Sequence, residues 1–481
     1  MAGTAVIPLV RIPKKIGADS AWIAGAGVAL LLLAVAMFDH RLLNDADTYW
    51  HLSAGEWMLR HRAVPHTDPF SFTSHGAPWV VQEWLAEIVM AIAFSLGGWN
   101  GVVALYGLSL AGTTLIMTNQ LRRSLPALSV AIVLVLAFAC IAPNLLARPH
   151  ILVLPVLVGW AVVLLRAREA GRVPPIGSIG LMLLWANLHG SYVFGLVLLG
   201  AFALEAVVDS PAGERGRIWR GWALFSLLAV IAAMITPQGP TGLLFPFKLM
   251  SMSSLAKIGE WQPTNFSGLS PFELALEATL FVTLSRGVKI PQIRLVLLLV
   301  LLHMALQHNR HVILAALVGA MVLAEPLGAA FQPTKPEAEP VGAGAWLMFG
   351  IGAFALIALR MAVPYVRSDD AVTPAAAIEH VPVALRAKPV LNEYGFGGYL
   401  IFRGIKPYID SRADLYGDAF LEHYARIMRP DTAALDSTLR ESHIAWTIQP
   451  PEGPLVAWLD ARRDWKRLYA DQFAVIHVRR P

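Results

Sequence analysis

Long apolar runs alternate with short polar segments over positions 20 to 363 of the chain. A helix that crosses a bilayer needs roughly 17–25 mostly apolar residues, so these runs predict about eleven membrane-spanning helices. The composition agrees, because 56% of the residues are hydrophobic and only 15% are charged, against about 25% charged in soluble proteins. The predicted spans are Ser20–Phe38, Val102–Thr118, Pro126–Ala142, Ile151–Leu165, Ile176–Leu188, Ser191–Val208, Trp222–Ile235, Pro271–Ser285, Leu295–Leu306, Val312–Leu323 and Ala343–Val363.

One apolar segment, Trp84–Trp99, is ambiguous, because Glu83 and Glu87 polarise its start. The positive-inside rule decides the topology, since lysine and arginine concentrate in cytoplasmic loops. If Trp84–Trp99 lies in the outer leaflet without crossing, every basic cluster falls on the side of the N-terminus. We therefore expect a cytoplasmic N-terminus and an extracytoplasmic C-terminal region. The basic clusters are Arg11, Lys14 and Lys15; Arg122 and Arg123; Arg166, Arg168 and Arg172; Arg215, Arg217 and Arg220; and Arg286, Lys289 and Arg294.

A domain boundary is predicted near Val363, where the long apolar runs end. The predicted domains are a transmembrane unit, residues 1–363, with its first outer loop at 39–101, and a small extracytoplasmic α/β domain, residues 364–481. Short strand-like runs alternate with helical stretches in the second unit, which is typical of an α/β domain. The predicted strands are Pro389–Leu391, Gly398–Phe402, Pro407–Ile409, Ala445–Ile448 and Phe473–Val478.

The net charge of +5 does not indicate a nucleic-acid-binding protein. Lysine and arginine fall in small groups between the apolar runs, which is the pattern of membrane topology signals. We therefore expect membrane lipid, and no nucleic acid, as a partner. The single cysteine, Cys140, excludes an internal disulfide.

The acidic stretch Asn44–His51 directly follows the first predicted span. Acidic groups cost free energy at a membrane boundary, so such a cluster indicates a function. Asp45 and Asp47 fit either a general base or ligands of a divalent cation, Mg²⁺ or Mn²⁺, that holds a phosphate. The structural alternative is that Asp47 caps an amphipathic helix over Thr48–Arg60.

In the predicted topology, several polar groups at other helix ends face the same side as the acidic stretch. Arginine pairs well with phosphate through its planar fork, so Arg148 and Arg310 are candidate phosphate ligands. The alternative for Arg148 is an interface anchor whose charge reaches the headgroups. Histidines beside them either bind the same anion or have structural roles in turns. These histidines are His150, His189 and His311.

Carboxylate–indole pairs at the outer face fit sugar binding, since a tryptophan ring stacks on a pyranose. Glu83 with Trp84 forms one pair, and Glu260 with Trp261 another. The alternative is the interfacial tryptophan belt that membrane proteins commonly have. In the C-terminal region, Asp410–Asp414 is either a charge network at a strand end or an acceptor-recognition segment.

The layout and the first outer loop resemble the GT-C superfamily of integral-membrane glycosyltransferases. The segment Asp45–Glu56 resembles the first-loop signature of that group. The segments Pro65–Phe72 and Trp79–Leu85, with Gly397–Tyr399 and Asp410–Gly417 in the tail, resemble a bacterial subgroup of it. The tail has no tryptophan-tryptophan-aspartate run, which argues against protein N-glycosylation.

The resemblance implies a transferase that uses a polyprenyl-phosphate sugar donor at the outer face of a bacterial inner membrane. The acceptor would be a glycan, a lipid or a protein. A first-loop aspartate, Asp47 or Asp45, would act as base toward the acceptor or bind metal. We expect Arg148, Arg310 and the three histidines to bind the donor phosphate. The expected sugar and acceptor ligands are His51, Glu83 and Trp84.

Two other functions compete with this one. The first is a transporter or lipid flippase, although such proteins place polar groups near the bilayer midplane, often in repeated halves. The second is a catalytically inactive GT-C relative that acts as a binding protein.

Overall fold

A computed structural model describes residues 16–331 and 340–480 of the chain. Residues 16–331 and 343–362 form a helical bundle, in which every predicted span corresponds to helix. Its helices are α1 Ile16–Phe38, α2 Asp47–His61, α3 Trp84–Leu121, α4 Ala127–Ile141, α5 Pro149–Leu152, α6 Leu154–Glu169, α7 Ile179–Leu188, α8 Tyr192–Val208, α9 Arg215–Ala233, α10 Pro240–Met250, α11 Pro271–Ser285, α12 Gln292–Gln307, α13 Val312–Phe331 and α14 Ala343–Ala362.

Seven helical segments in the described part of the chain are long and apolar enough to cross a membrane. They include α1, α3 and α13, and the shorter helices α7, α8 and α12 are also apolar. The chain is therefore a helical membrane protein. Helix length and composition support seven spans, and the count of eleven stays a prediction.

Helix α3 joins the ambiguous segment Trp84–Trp99 to the predicted span that follows it. The 38-residue helix is broken at Gly98, whose φ of 56° and ψ of −142° are not helical. Glycine adopts this positive φ at little cost because it has no Cβ. Gly101 also allows close packing across the break, since a Cβ there would lie 2.0 Å from the carbonyl oxygen of Ala93. Gly98 therefore separates the start of α3 from the predicted span Val102–Thr118.

The basic loops meet at one end of the bundle. Arg123 pairs with Glu169 at 3.2 Å, and Arg294 pairs with Glu205 at 2.9 Å. Arg168, next to Glu169, lies 3.6 Å from Glu205, which joins the two pairs into one group. The clusters between the spans thus occupy one end, as a shared side of the membrane requires. Arg11, Lys14 and Lys15 lie outside the described residues.

The residues after α14 form a four-stranded mixed sheet with helices around it. The strand order is β1-β2-β4-β3. β1 and β2 are parallel, and the other two pairs are antiparallel. The elements are α15 Ala375–Glu379, α16 Val383–Arg386, β1 Val390–Asn392, α17 Gly397–Phe402, α18 Ala413–Met428, α19 Thr432–Glu441, β2 Trp446–Gln449, α20 Pro454–Asp460, β3 Trp465–Ala470 and β4 Val475–Arg479.

Two predicted strands are wrong. Gly398–Phe402 lies in helix α17, and Pro407–Ile409 is irregular. A short apolar run fits a strand or a buried helix equally well, so tertiary contacts decide. Here Gly398 packs so tightly that a Cβ would lie 2.2 Å from the carbonyl oxygen of Ala46.

The C-terminal region packs directly on the first loop. The indole of Trp50 donates to Ser411 Oγ at 3.1 Å, and Thr73 Oγ1 donates to the carbonyl of Tyr408 at 2.6 Å. Arg412, which is fully buried, pairs with Asp68 at 2.8 Å. The acidic stretch therefore lies between the helix bundle and the C-terminal region.

Candidate functional site

The acidic stretch enters helix α2 without the predicted cap. Asp47 is the first residue of the helix, and Ala46 occupies the N-cap position. Asp45 instead accepts the backbone N–H of Asp47 at 3.4 Å. The capping role predicted for Asp47 is wrong, which leaves its side chain available for other contacts.

Arg148 is the centre of the site. Its guanidinium binds both oxygens of Asp45, Nε to Oδ2 at 2.5 Å and Nη2 to Oδ1 at 2.7 Å. Its Nη1 atom lies 3.0 Å from Asp47 Oδ2 and 3.0 Å from Glu260 Oε2. One guanidinium thus holds three carboxylates from two distant segments, so the alternative role as an interface anchor does not describe it.

The two aspartates differ in their remaining contacts. Both oxygens of Asp45 are engaged by Arg148, and the residue is buried. The Oδ1 atom of Asp47 is also buried but has no hydrogen-bond partner among the described residues. Burial raises the pKa of Asp47 to about 6, against the opposing charge of Arg148. Asp47 can therefore exchange a proton near neutral pH.

Glu260 connects Arg148 to the second arginine. Its Oε1 atom lies 3.1 Å from Arg310 Nη1. Burial acts to raise the pKa of Glu260, but the charges of Arg310 and Arg148 outweigh it and lower the pKa. The guanidinium of Arg310 also lies over the ring of Trp261, 4.4 Å from its centroid. The two arginines are therefore fixed around one carboxylate.

The three predicted histidines lie close to the arginines. His150 Nε2 is 3.0 Å from the carbonyl of Asn144, and its ring centroid is 6.3 Å from that of His189. His189 Nε2 is 3.4 Å from Glu83 Oε1. His311 packs edge-on against Phe194, and its Nδ1 atom has no partner among the described residues. All three lie beside the arginines, but both ring nitrogens of His189 are engaged, because its Nδ1 atom contacts Ser191 Oγ at 2.9 Å.

Two cavities meet at these side chains. The first, of about 160 Å³, is lined by Glu83, Glu87 and Asp414 and by an apolar wall. The second, of about 360 Å³, is lined by Arg148, His150 and Glu260. The volume of the second cavity falls in the range of small-molecule sites. Within the described residues, neither aspartate of the acidic stretch lines either cavity. The residues shared by both cavities are His189, Ser191, Phe194, Arg310 and His311.

The three residues predicted to bind the sugar or the acceptor lie in different surroundings. Glu83 lines the first cavity, and burial raises its pKa to about 8. His51 is buried and contacts Glu87, with Nδ1 2.9 Å from Oε1. Trp84 lies apart, because its indole donates to Asn187 at 2.9 Å and lines a different cavity. Glu83 alone of these three borders the first cavity.

The pair Asp45 and Asp47 does not fit a divalent cation well. Asp45 already accepts two charged hydrogen bonds, and a guanidinium between the carboxylates repels a cation. The described residues with metal-binding geometry are instead His51, Glu83 and Glu87, whose ligand atoms all lie within 4.8 Å of one another. Mg²⁺ or Mn²⁺ at the aspartates stays a prediction, and no chemical step is derived from it.

Sequence reasoning named Asp414 only as part of the segment Asp410–Asp414, and the structure shows that it lines the first cavity, where burial raises its pKa to about 6. The charge network predicted for this segment is present, and acceptor recognition stays a prediction. Asp410 binds Arg412 at 2.7 Å, which is the charge network. Asp414 faces the cavity, which only the tertiary structure places nearby.

Comparison with known proteins adds no relative. No protein-family model matches the chain, and no curated protein matches it significantly.

Proposed function

We propose that this protein is a glycosyltransferase that moves a sugar from a polyprenyl-phosphate donor to an acceptor outside a bacterial inner membrane. One observation carries the proposal. Asp47, Arg148, Glu260 and Arg310 come from four distant segments and form one continuous set of ion pairs. Arg148, Glu260 and Arg310 line the second cavity, and Arg310 also lines the first.

The donor phosphate would bind at Arg148 and Arg310. Glu260 now contacts both guanidinium groups, so it holds them at a separation that one anionic group can bridge. A phosphate that displaces Glu260 would meet two charged donors, and hydrogen bonds between charged groups are stronger than those between neutral groups. The apolar wall of the first cavity fits an isoprenoid tail; it includes Val193, Phe194, Phe245, Phe247, Leu249 and Met250.

Asp47 is the proposed base. Asp47 Oδ1 is buried in this structure, so the side chain would have to become accessible before the acceptor binds. The acceptor hydroxyl would then donate to this unpartnered atom, and its oxygen would attack the anomeric carbon of the donor sugar. The bond from that carbon to the phosphate oxygen breaks, the proton passes to Asp47, and polyprenyl phosphate leaves. A base with a pKa of about 6 suits this proton transfer near neutral pH. Asp45 would orient Arg148 and not react.

The membrane arrangement belongs to the same proposal. About eleven spans, a cytoplasmic N-terminus and an extracytoplasmic α/β domain place the aspartates outside. The position of the basic pairs at one end of the bundle supports this orientation.

Mass spectrometry of surface glycans tests the proposal in cells. A strain that lacks the protein should lose one glycan modification, and the wild-type gene should restore it. Asp47→Asn should not restore it, whereas Glu56→Gln, at an exposed position of the same helix, should. Full restoration by the double variant Asp45→Asn, Asp47→Asn would overturn the proposal.

A lipid flippase or an inactive binding relative is the second candidate. It is favoured by the absence of Asp45 and Asp47 from the described linings of both cavities. Such a protein would bind the lipid phosphate without cleaving the sugar bond. Release of free polyprenyl phosphate separates the two functions.

A further inference from the structure

A second polar cluster lies beside the first cavity and is not used in the proposed transfer. His51, Glu83 and Glu87 place a nitrogen and two carboxylate oxygens within 4.8 Å of one another. His189 joins them through its Nε2 atom, 3.4 Å from Glu83 Oε1. The four side chains come from α2, the start of α3 and the turn after α7.

Two glycines allow these segments to approach. A Cβ at Gly55 would lie 2.0 Å from the carbonyl oxygen of Glu87. Gly55 follows His51 by four residues, so both lie on the face of α2 that meets α3. A Cβ at Gly190 would lie 2.3 Å from Gln82 Oε1, which brings the turn that carries His189 against the start of α3.

One carboxylate oxygen of Glu87 lacks a hydrogen-bond partner. Its side chain is fully buried, and its Oε2 atom has no hydrogen-bond partner among the described residues. A buried carboxylate oxygen without a partner is costly, so it indicates an ion or ligand that the cluster holds.

We propose that His51, Glu83 and Glu87 bind a divalent transition-metal ion, with Zn²⁺ as the preferred ion and His189 as a fourth ligand. Imidazole nitrogen with carboxylate oxygen is a ligand set that zinc accepts at about 2.0–2.2 Å. Two carboxylates balance the charge of the ion. Glu83, Glu87 and His189 also line the first cavity, so a bound metal would face its contents.

This site differs from the cation expected at Asp45 and Asp47 in both residues and chemistry. It contains imidazole, which favours zinc over magnesium. It also stands independently of the transferase proposal, because it rests on the geometry of this cluster alone.

Metal binding to the purified full-length chain tests the site without any sugar donor. After a chelator has removed bound metal, the protein is titrated with Zn²⁺ by calorimetry, and retained zinc is measured by elemental mass spectrometry. We expect about one zinc ion per chain. Glu83→Gln and His51→Gln should each weaken binding at least about tenfold, and Mg²⁺ should not compete.

Exposed positions on α2 supply matched controls. Glu56→Gln and His61→Gln remove the same chemical groups from the same helix and should leave zinc affinity unchanged. Glu83→Gln carries the test if variants at buried His51 fail to fold, since Glu83 is partly exposed. Wild-type protein that binds no zinc, cluster variants that bind it as tightly as wild type, or equal affinity for Mg²⁺ would each overturn the site.

Discussion

At the scale of single residues, Arg148 makes the largest number of ion pairs in the site. It holds Asp45, Asp47 and Glu260 at once, and its partner Asp45 is buried. An arginine here cannot be replaced by lysine without loss, because the planar fork makes two parallel bonds to Asp45. The function of the neighbouring aspartate therefore depends on this guanidinium.

Replacing Arg148 by glutamine should destabilise the protein by about 2–4 kcal/mol, because removal of one partner leaves buried carboxylates unpaired. The loss is smaller in the double variant Arg148→Gln, Asp45→Asn, which removes both charges. Unfolding monitored by intrinsic tryptophan fluorescence measures the loss of stability in the single and in the double variant. Equal stability of wild type and Arg148→Gln would contradict the role given to this residue.

The transfer rate should rise with pH through about 6, since Asp47 acts as a base only when it is deprotonated. The sign for stability is opposite to that of an ordinary ion-paired aspartate. A folded-state pKa above the usual 3.8 means that the folded protein binds more protons, so this group makes the protein less stable as pH rises from about 4 to 6.

Transfer rates measured from pH 5 to 8 at a saturating donor concentration test the predicted rise in rate. Asp47→Asn should show low activity without this inflection. A wild-type rate that is flat between pH 5 and 7 would be inconsistent with Asp47 as the base.

At the scale of elements, a buried ion-pair group joins the first loop to the C-terminal region. Arg412 lies between Asp68 at 2.8 Å and Asp410 at 2.7 Å. Its guanidinium also lies 4.7 Å from the ring centroid of Trp79. This group fixes α18, and with it Asp414, beside the cavity.

The variant Arg412→Met should cost about 3–5 kcal/mol, because it strands two buried carboxylates. Arg467→Met removes an exposed pair with Asp460 and should cost at most about 1 kcal/mol. Thermal unfolding with limited proteolysis of the C-terminal region compares them. Similar losses in the two variants would show that the buried group does not join the elements.

The contact between α2 and α3 depends on Gly55. Gly55→Ala should destabilise the protein, since the new methyl would meet the Glu87 carbonyl at 2.0 Å. Gly112→Ala on α3 meets nothing within 4 Å and should be neutral or stabilising by roughly 0.5–1 kcal/mol. The melting temperatures of the two variants test this prediction. A Gly55→Ala variant as stable as the wild type would contradict the close packing.

At the scale of the whole molecule, the hydrophobic pattern predicted the helices well. Apolar runs and basic clusters are local signals, and each predicted span corresponds to helix. The helical structure of Gly398–Phe402 could not be predicted from the sequence, because the contact of Gly398 with Ala46 involves a distant segment of the chain. The site residues also differ in how far the sequence predicts them. Arg148 and Arg310 are recognisable in the sequence as charges in apolar surroundings, whereas the position of Asp414 beside the cavity depends on tertiary packing.

The proposed membrane orientation can be tested at the two polar ends of the bundle. Single cysteines in a Cys140→Ala background report it through labelling of intact cells with an impermeant maleimide. His61→Cys, in the first loop, should be labelled, and Gly213→Cys, at the basic end, should not. The reverse pattern would place the aspartates on the cytoplasmic side.

The account's central claim is that the bond between sugar and phosphate is broken at this site with Asp47 as base. The most direct measurement follows a polyprenyl-phosphate sugar, labelled in the sugar, with purified protein in vesicles and membrane acceptors. Mass spectrometry should find equal amounts of glycosylated acceptor and free polyprenyl phosphate with the wild type. Asp47→Asn should bind the lipid but release almost none. Donor that is bound or moved across the vesicle without cleavage, or full cleavage by Asp47→Asn, would contradict the claim.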